Sequence, residues 1–238
     1  MKLSIIIPAL NEAAGIAAVL APLQAWRGPA CEVIVADGGS NDATAARAQP
    51  LADRVITAPR GRALQMNAGA QAASGGVLLF LHADTMLPEA APTAILVALG
   101  LANPLVPTVS GHLVMSKKRW GRFDLTITGT SPMLRVIAWC MNWRSRLTGI
   151  ATGDQAMFMT RAAFEAAGGF PAQPLMEDIE MSRRLKRQGA PACLPDRVTT
   201  SGRRWEQRGV WRTIWLMWRL RLAYFLGASP EYLAARYR

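Results

Sequence analysis

The chain has 238 residues, of which 51 % are hydrophobic, and a formal net charge of +11 at pH 7. This length and hydrophobicity exclude a disordered protein and favour one folded domain, or at most two small ones. Its three cysteines, Cys31, Cys140 and Cys193, are odd in number and far apart, which is typical of reduced thiols in the cytoplasm.

The apolar runs of the chain are short. Residues 3–7 are too few for a signal peptide, and Pro8 ends this first run. No stretch of about 20 apolar residues follows, as a spanning helix requires. We therefore expect a cytoplasmic protein without a membrane-spanning helix.

Apolar runs and helical segments alternate in the first part of the chain. The first predicted helix opens at Asn11-Glu12 and extends to about Leu23, the second is short and rich in Ala, and the third follows a loop at Gly61 and reaches Ala73. This order predicts an α/β fold, a mostly parallel sheet with helices on both faces. The four predicted strands are residues 3–7, 31–36, 55–57 and 77–81.

Polar loops follow three of these strands, at residues 8–12, 37–42 and 82–84. Ligands of parallel sheets bind beyond the carboxyl ends of the strands. We therefore expect a set of polar side chains along one edge of the sheet: Asn11, Glu12, Asp37, Asp42 and Asp84.

The second half of the chain is less regular. Residues 109–115 alternate weakly, as in an exposed strand, residues 132–147 are helical in pattern, and residues 151–160 read as a turn that enters a strand. Residues 177–188 predict a helix, because acids occupy the first turn, bases occupy the last and Gly189 follows.

Acidic positions are candidates for binding a cation. Mg²⁺ typically takes one or two carboxylates from protein and completes its shell with water and substrate phosphates, which suits Asp84 at a strand end beside His82. Taken singly, an Asp after a strand is more often only a turn former.

Four blocks occur in an order that carries a family resemblance. The blocks are "SIIIPALNE", "VIVADGGSNDAT", "GRALQMNAGAQAASGGVLLFLHADT" and "GGFPAQPLMEDIEMSRRLKRQG". On these blocks the chain resembles a family 2 glycosyltransferase of the GT-A fold over about residues 2–190, with His82-Ala83-Asp84 at the position of the family's Asp-x-Asp motif. A narrower resemblance, through "FLHADT", "GDQAMF" and the tail, is to a small bacterial subgroup labelled as arsenosugar-biosynthesis-type glycosyltransferases.

The resemblance implies a nucleotide-diphosphate sugar as donor. Asp37 would accept a hydrogen bond from the base, and Arg62, in the loop before the third helix, would pair with the diphosphate. The loop from Pro8 to Glu12 would hold the base and ribose. The implied nucleotide-sugar-binding residues are Pro8, Ala9, Asn11, Glu12, Asp37, Arg62, His82 and Ala83.

The resemblance also implies an inverting transfer to an acceptor hydroxyl, on a small molecule or a lipid-linked one. Asp84 would hold Mg²⁺ or Mn²⁺ between the phosphates, and Asp178 would be the general base. Glu177 would orient Asp178 or hold the helix N-terminus, and Asp154-Gln155 would face the sugar or the acceptor.

Each implied role has a structural alternative. Asp37, Asp84 and Asp154-Gln155 could serve only as turn residues. Glu177-Asp178 and Glu12 could serve only as helix-terminal acids, and Arg62 as a solvated charge. His82 stands where family members carry Asp, and it could ligate the metal, accept a bond from ribose or bond to a neighbouring strand.

The C-terminal segment is basic and amphipathic. From Arg197 onwards the chain has nine Arg and only two acids, Glu206 and Glu231. No nucleic-acid-binding motif is present. A helix over residues 210–227 could lie on an anionic membrane, at the inner face, pack on the catalytic domain or form a homodimer. Its predicted apolar face comprises Trp211, Ile214, Trp215, Trp218, Leu222 and Phe225.

The sequence therefore predicts a GT-A domain over residues 1–200 and a basic helical tail over residues 201–238. Within the domain, residues 1–100 would bind the nucleotide sugar and residues 101–200 the acceptor. Two rival functions stay open: a nucleotidyltransferase that makes an activated sugar, and a non-catalytic nucleotide-binding or membrane-attached scaffold. The first would be expected to carry a Gly-rich, basic phosphate loop where Pro8-Ala9-Leu10-Asn11-Glu12 stands.

Overall fold

One eight-stranded sheet organises the computed structural model, which describes residues 1–101 and 118–237. The predicted strand at 109–115 lies outside these residues. The strands are β1 (Leu3–Ala9), β2 (Cys31–Asp37), β3 (Arg54–Thr57), β4 (Val77–Phe80), β5 (Thr85–Met86), β6 (Trp120–Thr128), β7 (Met157–Thr160) and β8 (Ala192–Ser201).

Helices surround the sheet. Among the described residues, three short 3₁₀ helices add to them at Pro22–Trp26, Gln49–Leu51 and Gly153–Gln155. The α-helices are α1 (Ile16–Leu20), α2 (Thr44–Ala48), α3 (Arg62–Ala72), α4 (Ala91–Ala98), α5 (Met133–Thr148), α6 (Arg161–Ala166), α7 (Glu177–Lys186), α8 (Arg203–Arg208), α9 (Val210–Phe225) and α10 (Pro230–Tyr237).

The strand order is β3-β2-β1-β4-β7-β6-β8-β5. The first four strands are parallel, as are β6 and β8, whereas β7 pairs antiparallel with both neighbours and β5 pairs antiparallel with β8. The predicted α/β fold with a mostly parallel sheet is confirmed.

Helices cover both faces of the sheet, as expected. Along β1, alternate residues enter two separate cores: Ile5 and Ile7 pack in the core that includes α1, and Ile6 packs in the core that includes α3. The α3 side is packed closely, because a Cβ at Gly69 would lie 2.4 Å from the Ile6 side chain.

Three predicted boundaries were wrong. Strand β1 continues through Pro8 to Ala9. The Pro8 nitrogen, which cannot donate a hydrogen bond, faces the β4 side beyond the last β1–β4 pair, Ile6↔Phe80. Because β1 and β4 are no longer paired there, the strand loses no hydrogen bond at Pro8. The helix predicted from Asn11-Glu12 begins only at Ile16, since Asn11 has φ of 56°. Arg62 is the first residue of α3 rather than part of the preceding loop.

The C-terminal helices pack on the domain through a third apolar cluster. Leu220 of α9 and Leu233 of α10 are buried there against Leu175, Met176 and Ile179. In the described residues, no helix is both long and apolar enough to cross a bilayer.

Candidate functional site

The loops after β1 and β2 are joined at the carboxyl edge of the sheet. The Asn11 amide donates to Ser40 Oγ (2.9 Å), and Asn11 Oδ1 accepts from the Asn41 amide (2.9 Å). The Glu12 amide donates to Thr44 Oγ1 (2.8 Å). Two of the predicted nucleotide-binding loops therefore form one continuous wall.

Asp37 lies buried at the base of this wall. Its carboxylate accepts from the amides of Gly39 (3.1 Å) and Ser40 (3.0 Å) and from the Ser40 hydroxyl. Gln65 of α3 donates to the carbonyl of Ala9 (2.7 Å), which fixes the backbone that follows Pro8. Pro8 and Ala9 are themselves buried, so they can contribute shape and backbone, not side-chain polarity.

Asp84 is the exposed acid at the end of β4, after the buried Ala83. Its carbonyl accepts from the Ser201 amide (3.2 Å), which places the start of α8 beside it. No group of three His, Cys, Asp or Glu side chains within residues 1–101 and 118–237 could hold a metal by itself. The donor set of Asp84 thus fits Mg²⁺ or Mn²⁺ only when substrate phosphates supply further oxygens.

His82 is paired with Asp154 rather than with Asp84. Nδ1 of His82 lies 3.0 Å from Asp154 Oδ1, and Nε2 is buried against Gly153 without a hydrogen-bond partner among the described residues. Burial alone would raise the pKa of Asp154. The hydrogen bond from His82 and the positive charges of His82, Arg62 and Arg204 outweigh burial and hold this pKa at about 2. Asp154 is therefore a carboxylate at any physiological pH.

Glu177 and Asp178 begin α7 and differ in surroundings. Glu177 is 3 % exposed and pairs with Arg62 across 3.3 Å, whereas Asp178 is half-buried. Burial and the charge of Asp178 raise the pKa of Glu177, and Arg62 opposes this. One oxygen of Asp178 accepts from the Gly153 amide (2.9 Å), so the Asp154 turn also positions Asp178.

Gln155 occupies the interior of the same turn. It is fully buried, donates to Ser145 Oγ (3.1 Å) and forms a capping box with Thr152. The structure thus brings Asp154 to the site and places the Gln155 side chain behind it.

Backbone strain is concentrated at the site. In the described residues, the non-glycine residues with positive φ are Asn11, Ala156 and Met176. Each adjoins a predicted site residue: Asn11 is one, Ala156 follows Gln155, and Met176 precedes Glu177. Strained backbone of this kind persists where the surrounding structure holds a functional geometry.

Arginines that the sequence interpretation did not single out also reach the site. Arg203 lies 3.6 Å from Glu12 and begins α8 next to Asp84. Burial and the charge of Arg62 lower the pKa of Arg204, while Asp154 and Asp84 oppose this. Arg144 of α5 has two buried nitrogens without a partner among the described residues, close to the charge of Asp178. Arg203 and Arg204 have one signal in the sequence, an Arg-Arg pair shortly after a strand, whereas Arg144 sits inside a predicted helix and has none.

The acids, the strained turns and the arginines all meet at the carboxyl edge of the sheet. A family model described as glycosyl transferase family 2 matches residues 4–122, half of the chain. The chain belongs to glycosyl transferase family 2. No curated protein gives a significant match.

Solved structures share the fold of this family 2 chain. The mannosyltransferase PcManGT from Pyrobaculum calidifontis, in complex with GDP-Man and Mn²⁺, is 21 % identical with a TM-score of 0.61, covering 93 % of this chain and 61 % of that one. S. aureus TarS 1-349 is 17 % identical with a TM-score of 0.61, covering 85 % and 61 %.

A third structure is glucosyl-3-phosphoglycerate synthase from Mycobacterium tuberculosis, in complex with Mn²⁺, UDP and glucosyl-3-phosphoglycerate. It is 20 % identical with a TM-score of 0.55, covering 84 % of this chain and 70 % of that one. This chain therefore spans about three fifths of the length of the TarS and PcManGT structures and somewhat more of the synthase.

Proposed function

We propose that this family 2 chain transfers a sugar, with inversion, from a nucleotide-diphosphate donor to an acceptor hydroxyl. The observation that carries the proposal is the placement of Asp178. This half-buried carboxylate is held by the Gly153 amide and lies beside the ion pair of Arg62 with Glu177.

Asp178 would act as the general base. In an inverting transfer, the acceptor hydroxyl attacks the anomeric carbon opposite the leaving diphosphate and loses its proton to a carboxylate on that side. Asp178 is more accessible than Glu177, whose buried carboxylate pairs with Arg62. Glu177 would therefore position Arg62 and the start of α7, while Asp178 takes the proton.

The leaving diphosphate would be stabilised by arginines. Arg62, Arg203 and Arg204 come from two helices and meet near Asp84 and Asp154. Planar guanidinium groups bind phosphate oxygens in pairs of hydrogen bonds. A divalent cation, Mg²⁺ or Mn²⁺, held by Asp84 and the donor phosphates would supply further neutralisation of the leaving group.

The nucleoside would lie on the wall formed by the first two loops. Asp37 would accept from the base, and the segment from Pro8 to Glu12 with His82-Ala83 would contact the ribose and phosphates. The Mn²⁺ complexes of PcManGT with GDP-Man and of the mycobacterial synthase with UDP support a donor of this class. Asp154, paired with His82, would face the sugar or the acceptor, with Gln155 supporting its turn.

Asp178→Asn is the test of this function. A thermal-shift screen of UDP-, GDP- and dTDP-sugars, with and without Mn²⁺, first identifies the donor. Release of nucleoside diphosphate by the variant should then fall about 10²- to 10⁴-fold, the range of general-base catalysis, while donor-induced stabilisation is retained. Intact turnover in Asp178→Asn would make the base assignment wrong.

The rival functions predict other outcomes of the same experiment. A nucleotidyltransferase would form a nucleotide sugar from a nucleoside triphosphate and a sugar phosphate, and a scaffold would bind the nucleotide without turnover. The arsenosugar-type subgroup, the acceptor class, a homodimer, the cytoplasmic location and the boundary at residue 200 stay predictions.

A further inference from the structure

Helix α9 carries an exposed apolar stripe, which we call the α9 stripe. It has six residues between 59 % and 76 % exposed, five on the helix and one directly after it. Those on the helix recur every three or four positions, so they share one side. Ile214, predicted on this face, is half-buried and packs against the domain instead. The α9 stripe comprises Trp211, Trp215, Trp218, Leu222, Phe225 and Leu226.

The opposite side of α9 is already occupied. Leu220 is buried, and Leu216 and Tyr224 pack with it on the cluster that contains Met176. Arg183 of α7 lies over the Tyr224 ring, 5.3 Å from its centroid. The helix is therefore fixed to the domain by one side, and the α9 stripe cannot fold back onto the same core.

The charged residues of helix α9 are all of one sign. Helix α9 contains three arginines, Arg212, Arg219 and Arg221, and no acidic residue. Arg219 lies over the Trp215 ring at 5.3 Å, so its guanidinium accompanies the stripe. The chain as a whole has a net charge of +11.

We propose that the α9 stripe docks on a membrane surface rich in anionic lipid. Trp side chains favour the boundary between headgroups and acyl chains, and neighbouring arginines attract anionic headgroups. A two-fold homodimer would bring the stripe against itself, with arginines facing arginines and no acid on the helix to pair with them. The charge pattern thus favours lipid over a second copy of the chain.

Co-sedimentation with vesicles tests the proposal without any turnover. The full chain should bind vesicles of phosphatidylcholine and phosphatidylglycerol, bind pure phosphatidylcholine at least tenfold more weakly, and dissociate in high salt. Trp215→Ser/Trp218→Ser should reduce binding at least tenfold, and so should Arg212→Gln/Arg219→Gln.

Arg60→Gln/Arg187→Gln removes two exposed arginines elsewhere and is the matched charge control, expected to retain binding within about threefold. Because the substituted Trp residues are exposed, circular dichroism and thermal melting should match the wild type. Two results would overturn the proposal. One is no binding to anionic vesicles by the wild type. The other is a dimer in solution that Trp215→Ser/Trp218→Ser returns to a monomer.

Discussion

A single methyl group at Gly153 tests how the site is supported. A Cβ there would lie 2.3 Å from His82 Nε2 and 2.5 Å from His82 Cε1, whereas ordinary van der Waals contact begins near 3.4 Å. The His82 side chain is 11 % exposed, so its ring has little free space. In Gly153→Ala, the ring or the turn must therefore shift by roughly 1 Å, because close-packed interiors yield only by displacement.

That displacement acts on two carboxylates. His82 Nδ1 lies 3.0 Å from Asp154, and the Gly153 amide donates to Asp178 across 2.9 Å. A misplacement of about 1 Å at a reacting group can lower the rate about 100-fold. Overpacking of this kind costs about 1–3 kcal/mol, and each kcal/mol lowers the Tm of a chain of this size by about 2–4 °C.

The assay measures nucleoside diphosphate release with the donor and cation identified by thermal shift. We expect kcat of Gly153→Ala to fall about 100-fold. Gly15→Ala is the matched control, because a Cβ at Gly15 meets no described atom within 4 Å, and it should leave kcat and Tm unchanged.

A double variant separates the steric cause from other effects. In His82→Ala/Gly153→Ala the ring is gone, so the second substitution should add almost no loss of Tm to that of His82→Ala. The reasoning is refuted if Gly153→Ala keeps kcat within threefold of wild type. It is also refuted if the Tm losses of the two substitutions are additive.

Two further predictions concern charge. Glu177→Gln should lower turnover at least tenfold, yet keep or raise the Tm at pH 7. Folding raises the pKa of Glu177, so the wild type loses stability as the pH rises through the folded-state pKa and Glu177 ionises. In acid Glu177 is protonated in both states, and the Tm advantage of Glu177→Gln should vanish. A Tm of Glu177→Gln below that of the wild type at pH 7 would contradict this reasoning. Arg204→Gln should weaken donor binding about tenfold or more by calorimetry, whereas Arg187→Gln should not; equal binding by both variants would exclude Arg204 from the diphosphate site.

Strands β1, β2 and β4 could be predicted because their residues are mostly apolar and buried without interruption. All seven residues of β1 and of β2 are buried. Strands β6 and β8 escaped prediction, since polar residues break their apolar pattern. In β6, Arg122 is fully buried and pairs with Asp124, an arrangement that resembles a solvated segment in sequence.

Asp37 and Asp84 could be predicted from their place after strands, and Asp154, Glu177 and Asp178 from the family resemblance, but the partners of these acids could not. His82 meets Asp154 because β7 inserts antiparallel beside β4 with Phe80 opposite Met157. Two residues beyond this pair on each strand are His82 and Gln155, so the turn that holds Asp154 lies directly next to His82. The pairing register of two strands that are distant in sequence cannot be recognised from the local sequence pattern of either strand.

The balance of charge at the site follows from the same topology. The acids lie at strand ends, in the Asp154 turn and at the start of α7, whereas the arginines come from α3, α5 and α8 around that edge. Burial lowers the pKa of Arg144, and two of its buried nitrogens have no partner among the described residues, so this guanidinium group carries an electrostatic cost in the free chain. A doubly charged leaving group would offset that cost, whereas a neutral sugar would not. The site therefore favours a ligand that carries phosphate, in keeping with a nucleotide-diphosphate donor.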